Sequence, residues 1–100
     1  MYGTVARFRV KAGMEMEIEA IVRDFERTPP PGYIGEYIYR MDSDPRSYVM
    51  AVMFESKEAY FANASSPEQD AEYRKFRELL ESDPEWNDGE IVSFPGMGTG

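Results

Sequence analysis

Aromatic side chains are the residues of this sequence with the clearest capacity to form a binding site. Those of interest are Tyr37, Tyr39, Phe54, Tyr60, Phe61, Tyr73, Phe76 and Trp86. Aromatic rings offer a flat ligand a stacking surface, and a buried tyrosine hydroxyl needs a hydrogen-bond partner. The same residues could instead fill a closed core, since aromatic side chains dominate core burial in general. The composition is therefore compatible with an aromatic-lined cavity for a flat ligand or with a solid aromatic interior.

Two arginines lie where they could act on such a ligand. Arg40 ends a predicted strand, and Arg74 lies beside the apolar stripe of a predicted helix. A guanidinium group at either position could orient an anionic or enolate oxygen. Each side chain could equally extend into solvent along an apolar surface. The carboxylates show no pair whose spacing requires a general acid–base arrangement.

Several classes of function are excluded by composition. The sequence contains no cysteine and no histidine, so it lacks a thiolate nucleophile, an imidazole base and the commonest metal ligand. The segment Asp42-Ser43-Asp44 lacks the glycine and distal glutamate of a calcium loop, and we predict no metal site and no cofactor. The net charge of −8 argues against nucleic acid as a partner. No apolar run approaches membrane-spanning length, and we expect no membrane association and a cytoplasmic (cytosolic) protein.

The segment that should position the aromatics is the strand and helix between Ser47 and Asn63. The strand Ser47–Glu55 is apolar on both faces, which is typical of a central strand covered on both sides. Ser56 follows as a good N-cap for a helix over Lys57–Asn63. This helix carries Tyr60 and Phe61, so we expect aromatic rings at the mouth of the core.

Periodicity assigns the other elements. Strands are predicted at Gly3–Val10 and Tyr33–Met41 from alternating apolar residues, and a helix over Met14–Arg27 from 3.6-residue spacing. A capped helix is predicted from Ser66 to about Ser82. Asn87-Asp88-Gly89 is expected to be a turn that leads into a last strand over Glu90–Phe94.

This order of elements predicts one α+β domain over residues 1–95, followed by a glycine-rich tail at 96–100. Strand, helix, strand, strand, helices and strand form the ferredoxin-like βαββαβ arrangement. Right-handed connections then give a four-stranded antiparallel sheet with helices on one face.

The face without helices should be covered by a second copy of the chain. It would otherwise expose a mixture of apolar residues too extensive for a stable monomer surface, and we predict a homodimer through sheet faces. Arg7 and Arg9 lie on this face, and we expect them to pair with Glu36 or Glu55.

The sequence resembles antibiotic biosynthesis monooxygenase (ABM) domains over about Thr4 to Phe94. The resemblance lies in the run Met53-Phe54-Glu55-Ser56-Lys57-Glu58-Ala59-Tyr60, in Ser66-Pro67-Glu68-Gln69, in Tyr73 with Leu79-Leu80, and in Pro84-Glu85-Trp86 with Asp88-Gly89-Glu90. It implies the dimeric α+β barrel fold. The superfamily includes haem-degrading enzymes, which use a histidine ligand that this sequence lacks, and cofactor-free oxygenases that convert phenols into quinones.

The resemblance also implies a set of site residues. The cofactor-free oxygenases use an asparagine, a tryptophan, a tyrosine and an arginine. By the spacing of this sequence, Tyr60 matches the tyrosine and Arg74 the arginine, whereas Phe54 takes the tryptophan position and Met50 the asparagine position. Phe54 keeps a stacking surface without an N–H donor, and Met50 offers no amide.

Three functions follow as hypotheses. The first is cofactor-independent oxidation of a small, polyketide-like aromatic phenol, with Tyr60 and Arg74 as catalytic residues. Phe54 and Trp86 would stack on the substrate, and the other substrate-binding residues would be Tyr37, Tyr39, Phe61, Tyr73 and Phe76. The second is a non-catalytic barrel that binds a small aromatic molecule, and the third is a structural barrel with a closed core. An open cavity of about 300 Å³ or more left by Tyr37, Phe54, Tyr60 and Phe76 would favour the second over the third.

Overall fold

A computed structural model describes residues 1–95 of the chain. The elements are β1 (Tyr2–Arg9), α1 (Glu15–Arg27), β2 (Tyr33–Arg40), β3 (Ser47–Phe54), α2 (Lys57–Ala64), α3 (Pro67–Glu78) and β4 (Glu85–Glu90). The predicted glycine-rich tail at 96–100 lies outside the described residues. None of the helices described for residues 1–95 has the length and apolar character needed to cross a bilayer.

The four strands form one antiparallel sheet in the order β2-β3-β1-β4. This is the ferredoxin-like α+β arrangement, and the prediction of fold class is confirmed. β3 and β1 occupy the centre of the sheet, as the apolar character of β3 on both faces predicted. Side chains of one sheet face and of the helices form the core, which contains Ala6, Phe8, Val10, Ile18, Tyr48, Met50, Phe76 and Leu80.

Local sequence accounts for where α2 and α3 begin. The Ser56 hydroxyl accepts a hydrogen bond from the Ala59 backbone N–H at 3.1 Å. The Ser66 hydroxyl accepts one from the Gln69 backbone N–H, also at 3.1 Å. Each bond satisfies one of the free N–H groups in the first turn of a helix, which is why serine favours this position.

The last strand is not where the sequence predicted it. β4 spans Glu85–Glu90, so Asn87-Asp88-Gly89 lies inside the strand and not in a turn before it. Asn87 pairs with Val5 of β1, and its side-chain Nδ2 donates to the Val5 carbonyl at 3.0 Å. Pairing with the open edge of β1 overrides the turn preference of these residues, because the ladder satisfies the backbone groups of both strands.

The third helix is shorter than predicted, and the ion pairs of Arg9 differ from those expected. α3 ends at Glu78, and Leu80 forms an isolated bridge with Val10. Arg9 donates to Asp44 at 2.7 Å and to Glu81 at 2.6 Å, and not to Glu36 or Glu55. The end of β1 is therefore tied to two loops.

The sheet face without helices carries exposed apolar side chains. Tyr37 and Tyr39 of β2 are 57% and 58% exposed, and Val5 of β1 is 46% exposed. Tyr37 lies opposite Ala51 and Tyr39 opposite Val49, both half-buried residues of the central strand β3. This face is the one that the sequence predicted to meet a second copy.

Candidate functional site

A cavity of about 440 Å³ lies between the sheet and the helices. Each strand and each helix described contributes to its lining, from Thr4 in β1 to Asp88 in β4. Six of the lining side chains are aromatic: Phe25, Phe54, Tyr60, Phe61, Tyr73 and Trp86. The volume is within the range of small-molecule sites, and the rings could enclose a flat ligand.

Phe54 forms the buried base of the cavity. Its side chain is 1% exposed, and its ring packs edge-on against Tyr33 at 5.8 Å and against Tyr60 at 5.7 Å between centroids. The position follows from the sequence, because Phe54 ends β3 and the Ser56 cap turns the chain into α2 directly afterwards. The strand end therefore sets the ring of Phe54 against the first turn of the helix that carries Tyr60.

Tyr60 supplies a hydroxyl group within this aromatic surround. The hydroxyl donates to Asp88 Oδ1 at 2.7 Å, which joins α2 to β4. Burial raises the pKa of Tyr60, and the hydrogen bond to Asp88 raises it further. Tyr60 is therefore a neutral phenol at physiological pH and can act as a hydrogen-bonding group, not as a base.

Trp86 and Tyr73 form the opposite wall. Trp86 pairs with Ala6 in the sheet and points toward the helices, and its ring lies 6.2 Å from that of Tyr73 in α3. Trp86 remains 45% exposed although it lines the cavity. An aromatic surface that is left accessible in this way is available for a ligand to cover.

Glu36 is a carboxylate on the cavity side of β2. It lies opposite Val52, and the Tyr33 hydroxyl donates to its Oε1 at 3.1 Å. Burial raises the pKa of Glu36 to about 7; the Tyr33 hydrogen bond opposes this shift, and the charge of Glu26 adds to it. A carboxyl group with a pKa near neutrality can accept or release a proton at physiological pH.

A second, larger groove of about 980 Å³ adjoins the cavity on the outside of the helices. It shares Phe25 of α1, Asn63 of α2 and Gln69 of α3 with the cavity. The groove and the cavity therefore adjoin each other along these three residues.

The sequence model of the antibiotic biosynthesis monooxygenase family matches residues 1–79. This chain belongs to that family. No curated protein sequence matches the chain significantly.

Solved structures share the fold of this family member at low sequence identity. SnoaB of Streptomyces nogalater, a cofactor-independent oxygenase, has a TM-score of 0.80 at 19% identity, over 93% of this chain and 94% of SnoaB. A Bordetella bronchiseptica protein provisionally assigned to the same family has a TM-score of 0.78 at 19% identity, over 92% and 97% of the two chains. A conserved protein of Methanosarcina mazei Go1 has a TM-score of 0.77 at 18% identity, over 89% and 90%.

The structure brings part of the predicted site together in this ABM domain. Phe54, Tyr60, Phe61, Tyr73 and Trp86 all line the cavity of about 440 Å³. They come from β3, α2, α3 and β4 and converge because α2 packs on β3 and β1, and Tyr73 of α3 meets Trp86 of β4. Phe61 lies at the rim, where it is 41% exposed.

Four other residues of the prediction lie elsewhere. Tyr37 and Tyr39 project from the opposite face of the sheet, because they alternate with Glu36 and Ile38 along β2. Phe76 is buried in the core against Phe8, at 5.0 Å between ring centroids. Arg74 pairs with Asp70 at 3.0 Å, with its side chain 77% exposed.

Glu36 was missed as a site residue although the sequence contains a signal for it. Glu36 lies between Ile34 and Ile38 in strand β2. It is two residues from Ile38, so its side chain points to the same face of the sheet as Ile38, which is the face that meets the helices. A carboxylate at an inward position of an alternating strand is unusual, because a buried charge is costly unless it is paired. The sequence shows no comparable pattern for the other lining residues that the prediction missed, which include Phe25, Asn63, Gln69, Asp70 and Asp88.

Proposed function

We propose that this chain is a cofactor-independent monooxygenase that oxidises a small aromatic phenol to a quinone. In this reaction the phenol and O₂ give the quinone and water. The substrate supplies all four electrons that reduce O₂, so that one oxygen atom ends in the quinone and the other in water. Membership of the ABM family supports this class of reaction.

The observation that carries the proposal is the cavity of about 440 Å³ with six aromatic walls. A closed core would favour a structural barrel, whereas this volume is large enough for a flat molecule of two or three rings. Tyr73 and Trp86 are proposed to stack on the substrate, with Phe54 as the buried floor beneath it and Phe61 covering it at the rim. Phe76 would shape the cavity from behind.

The proposal is tested by oxygen uptake with a panel of anthrones and naphthols under metal-free conditions. Consumption of one O₂ per molecule of quinone formed is the expected result. Binding of panel members without oxygen consumption would contradict the proposal.

Tyr60 is proposed as the residue that positions the reacting oxygen of the substrate. Tyr60→Phe keeps the ring and removes the hydroxyl, and we expect kcat/KM to fall at least tenfold, or about 1.4 kcal/mol. Tyr2→Phe is the matched control, because the Tyr2 ring packs on Tyr60 at 5.3 Å without lining the cavity. Equal rates for the two variants would remove Tyr60 from the mechanism.

Arg74 enters the proposal through the resemblance and not through its position. Its guanidinium group would have to leave Asp70 and turn inward to contact substrate, and Asp70 itself lines the cavity. From the observed position we expect Arg74→Ala to slow turnover less than tenfold. A larger loss would restore the direct role.

We propose that two copies pack through the sheet faces without helices. Tyr37 and Tyr39, which the sequence assigned to substrate binding, would then belong to the interface. Light scattering at micromolar concentration should give twice the chain mass of 11.5 kDa. A monomeric mass would contradict this assembly. The cytosolic location stays a prediction from the sequence.

A second candidate function is binding of a small aromatic molecule without catalysis. Phe54 has no N–H donor, and Met50 is a buried core residue without an amide, so two groups expected of a cofactor-free oxygenase of this family are missing. Calorimetric binding of a panel compound that is recovered unchanged in the presence of O₂ would favour this function.

A further inference from the structure

We propose that Glu36 is the general base that takes the proton from the phenolic hydroxyl of the substrate. The inference rests on the proposed function for the substrate class, a neutral phenol. It adds a proton acceptor to the site residues that the family resemblance implies.

Glu36 is positioned to reach a ligand in the cavity. Glu36 lines the cavity of about 440 Å³ and also the two smaller cavities beside it, of about 290 and 80 Å³. Among the described residues, the one hydrogen bond to its side chain comes from Tyr33 to Oε1. Oε2 is therefore free to accept a proton from a ligand in the cavity, and the Tyr33 contact holds the carboxylate in place.

The α3, α2 and β4 side of Glu36 presents carboxylates and aromatic rings to the cavity. Asp70 and Glu72 of α3 are held in exposed ion pairs with Arg74 and Lys75. Asp88 of β4 accepts from Tyr60 of α2, and Tyr73 is an aromatic wall. None of the described residues that line the cavity is a lysine or an arginine.

The α1 side of Glu36 carries both signs of charge. Glu26 adds negative potential at Glu36, and Glu19 is engaged by Arg40 at 3.0 Å and by the Tyr48 hydroxyl at 2.9 Å. Arg23 lines the cavity of about 290 Å³ with Glu36 and does not line the larger one. The aromatic cavity is thus an acidic environment that disfavours a phenolate arriving from solvent.

A proton transfer inside the cavity avoids this repulsion. A neutral phenol enters, its O–H bond breaks, the electron pair stays on the substrate oxygen, and a new O–H bond forms on Glu36. The negative charge moves from carboxylate to substrate, and the total charge of the cavity does not change. The phenolate then reduces O₂. The oxygen atom that leaves as water takes one proton from Glu36 and the other from the ring carbon that becomes the second carbonyl of the quinone.

The proton affinity of Glu36 suits this step. Burial raises the pKa of Glu36 to about 7, so the group is largely ionised above neutral pH and still more basic than an ordinary carboxylate. General bases are most effective when their pKa lies near the working pH.

Kinetics test the proposal in the oxygen-uptake assay. We expect Glu36→Gln to lower kcat/KM about 100-fold or more. In the wild type, kcat/KM should fall as the pH drops below about 7, and this acid limb of the profile should be absent in Glu36→Gln. Tyr33→Phe should move that limb to higher pH, since the Tyr33 hydroxyl stabilises the carboxylate. Glu78→Gln, on the exposed side of α3, should leave the rate and profile unchanged. Full activity and an unchanged acid limb in Glu36→Gln would overturn the proposal.

A second measurement separates this proposal from the proposed function. Nitrophenol, whose anion is coloured, is bound without O₂ at a pH just below its own pKa. We expect part of the bound probe to be phenolate in the wild type and almost none in Glu36→Gln. Proton transfer in the wild type without oxygen uptake from any substrate would remove the oxygenase function and leave Glu36 as the base. Equal phenolate fractions in both proteins would overturn the role of Glu36.

Discussion

Replacing Gly3 by Ala should destabilise the fold by at least about 3 kcal/mol. A Cβ atom at Gly3 would overlap the carbonyl oxygen of Val52 in the neighbouring strand β3. The overlapped atom belongs to the backbone, so no side-chain rotation relieves the clash, and β1 and β3 must separate at the centre of the sheet. Domains of this size have a total stability of about 5–15 kcal/mol, so the loss should be visible as a large fall in the urea midpoint.

Gly89 provides a matched control for this substitution. It is the register partner of Gly3 on the other side, in β4, and a Cβ atom there meets no atom within 4 Å. Gly89→Ala should therefore change the free energy of unfolding by about 0.5 kcal/mol or less. Equal urea midpoints for the two variants would show that the sheet accepts a side chain at Gly3.

Glu36→Gln should raise the free energy of unfolding at pH 8 by about 1–3 kcal/mol. The pKa of Glu36 is about 7 in the folded chain against a usual value of 4.5. Each unit corresponds to about 1.4 kcal/mol, and partial solvation of this half-buried side chain reduces the total. Above pH 7 the folded protein holds a buried charge that the glutamine removes.

The sign of the pH dependence follows from the direction of the shift. Between about pH 4.5 and 7 the folded state binds a proton at Glu36 that the unfolded state has released. The stability contributed by this group is fully present below pH 4.5 and is lost as pH rises through 7. Urea titrations across this range should show this fall in the free energy of unfolding in the wild type and in Glu78→Gln. The fall should be absent in Glu36→Gln. Parallel curves for all three proteins would contradict the raised pKa.

The fold of this chain was predictable because its signals are local. β3 is apolar on both faces, and Ser56 and Ser66 each stand immediately before a helix. The alternation of side chains along a strand and the capping of a helix depend on neighbours within a few residues, so both can be recognised without a structure. The position of β4 could not be recognised in this way, since Asn87-Asp88-Gly89 favours a turn until β1 offers an open edge.

The site was predictable only in part. Phe54 and Tyr60 lie close in sequence across one cap, and their proximity follows from the turn between strand and helix. Trp86 meets Tyr73 because β4 pairs with β1 beneath α3, which is a long-range arrangement. Arg74 was predicted in the site and lies outside it. It follows Tyr73 directly in α3, and neighbouring residues of a helix point in different directions, so its side chain extends into solvent.

The amino-acid sequence by itself determined the family, the order of elements and the absence of thiol and imidazole chemistry. These properties depend on residue type and short spacing. Only the tertiary structure decided that a cavity of about 440 Å³ remains between sheet and helices, and that Glu36 faces it. The physical reason is that cavity volume and the pKa of a carboxylate depend on what is packed around them, and those neighbours come from distant parts of the chain.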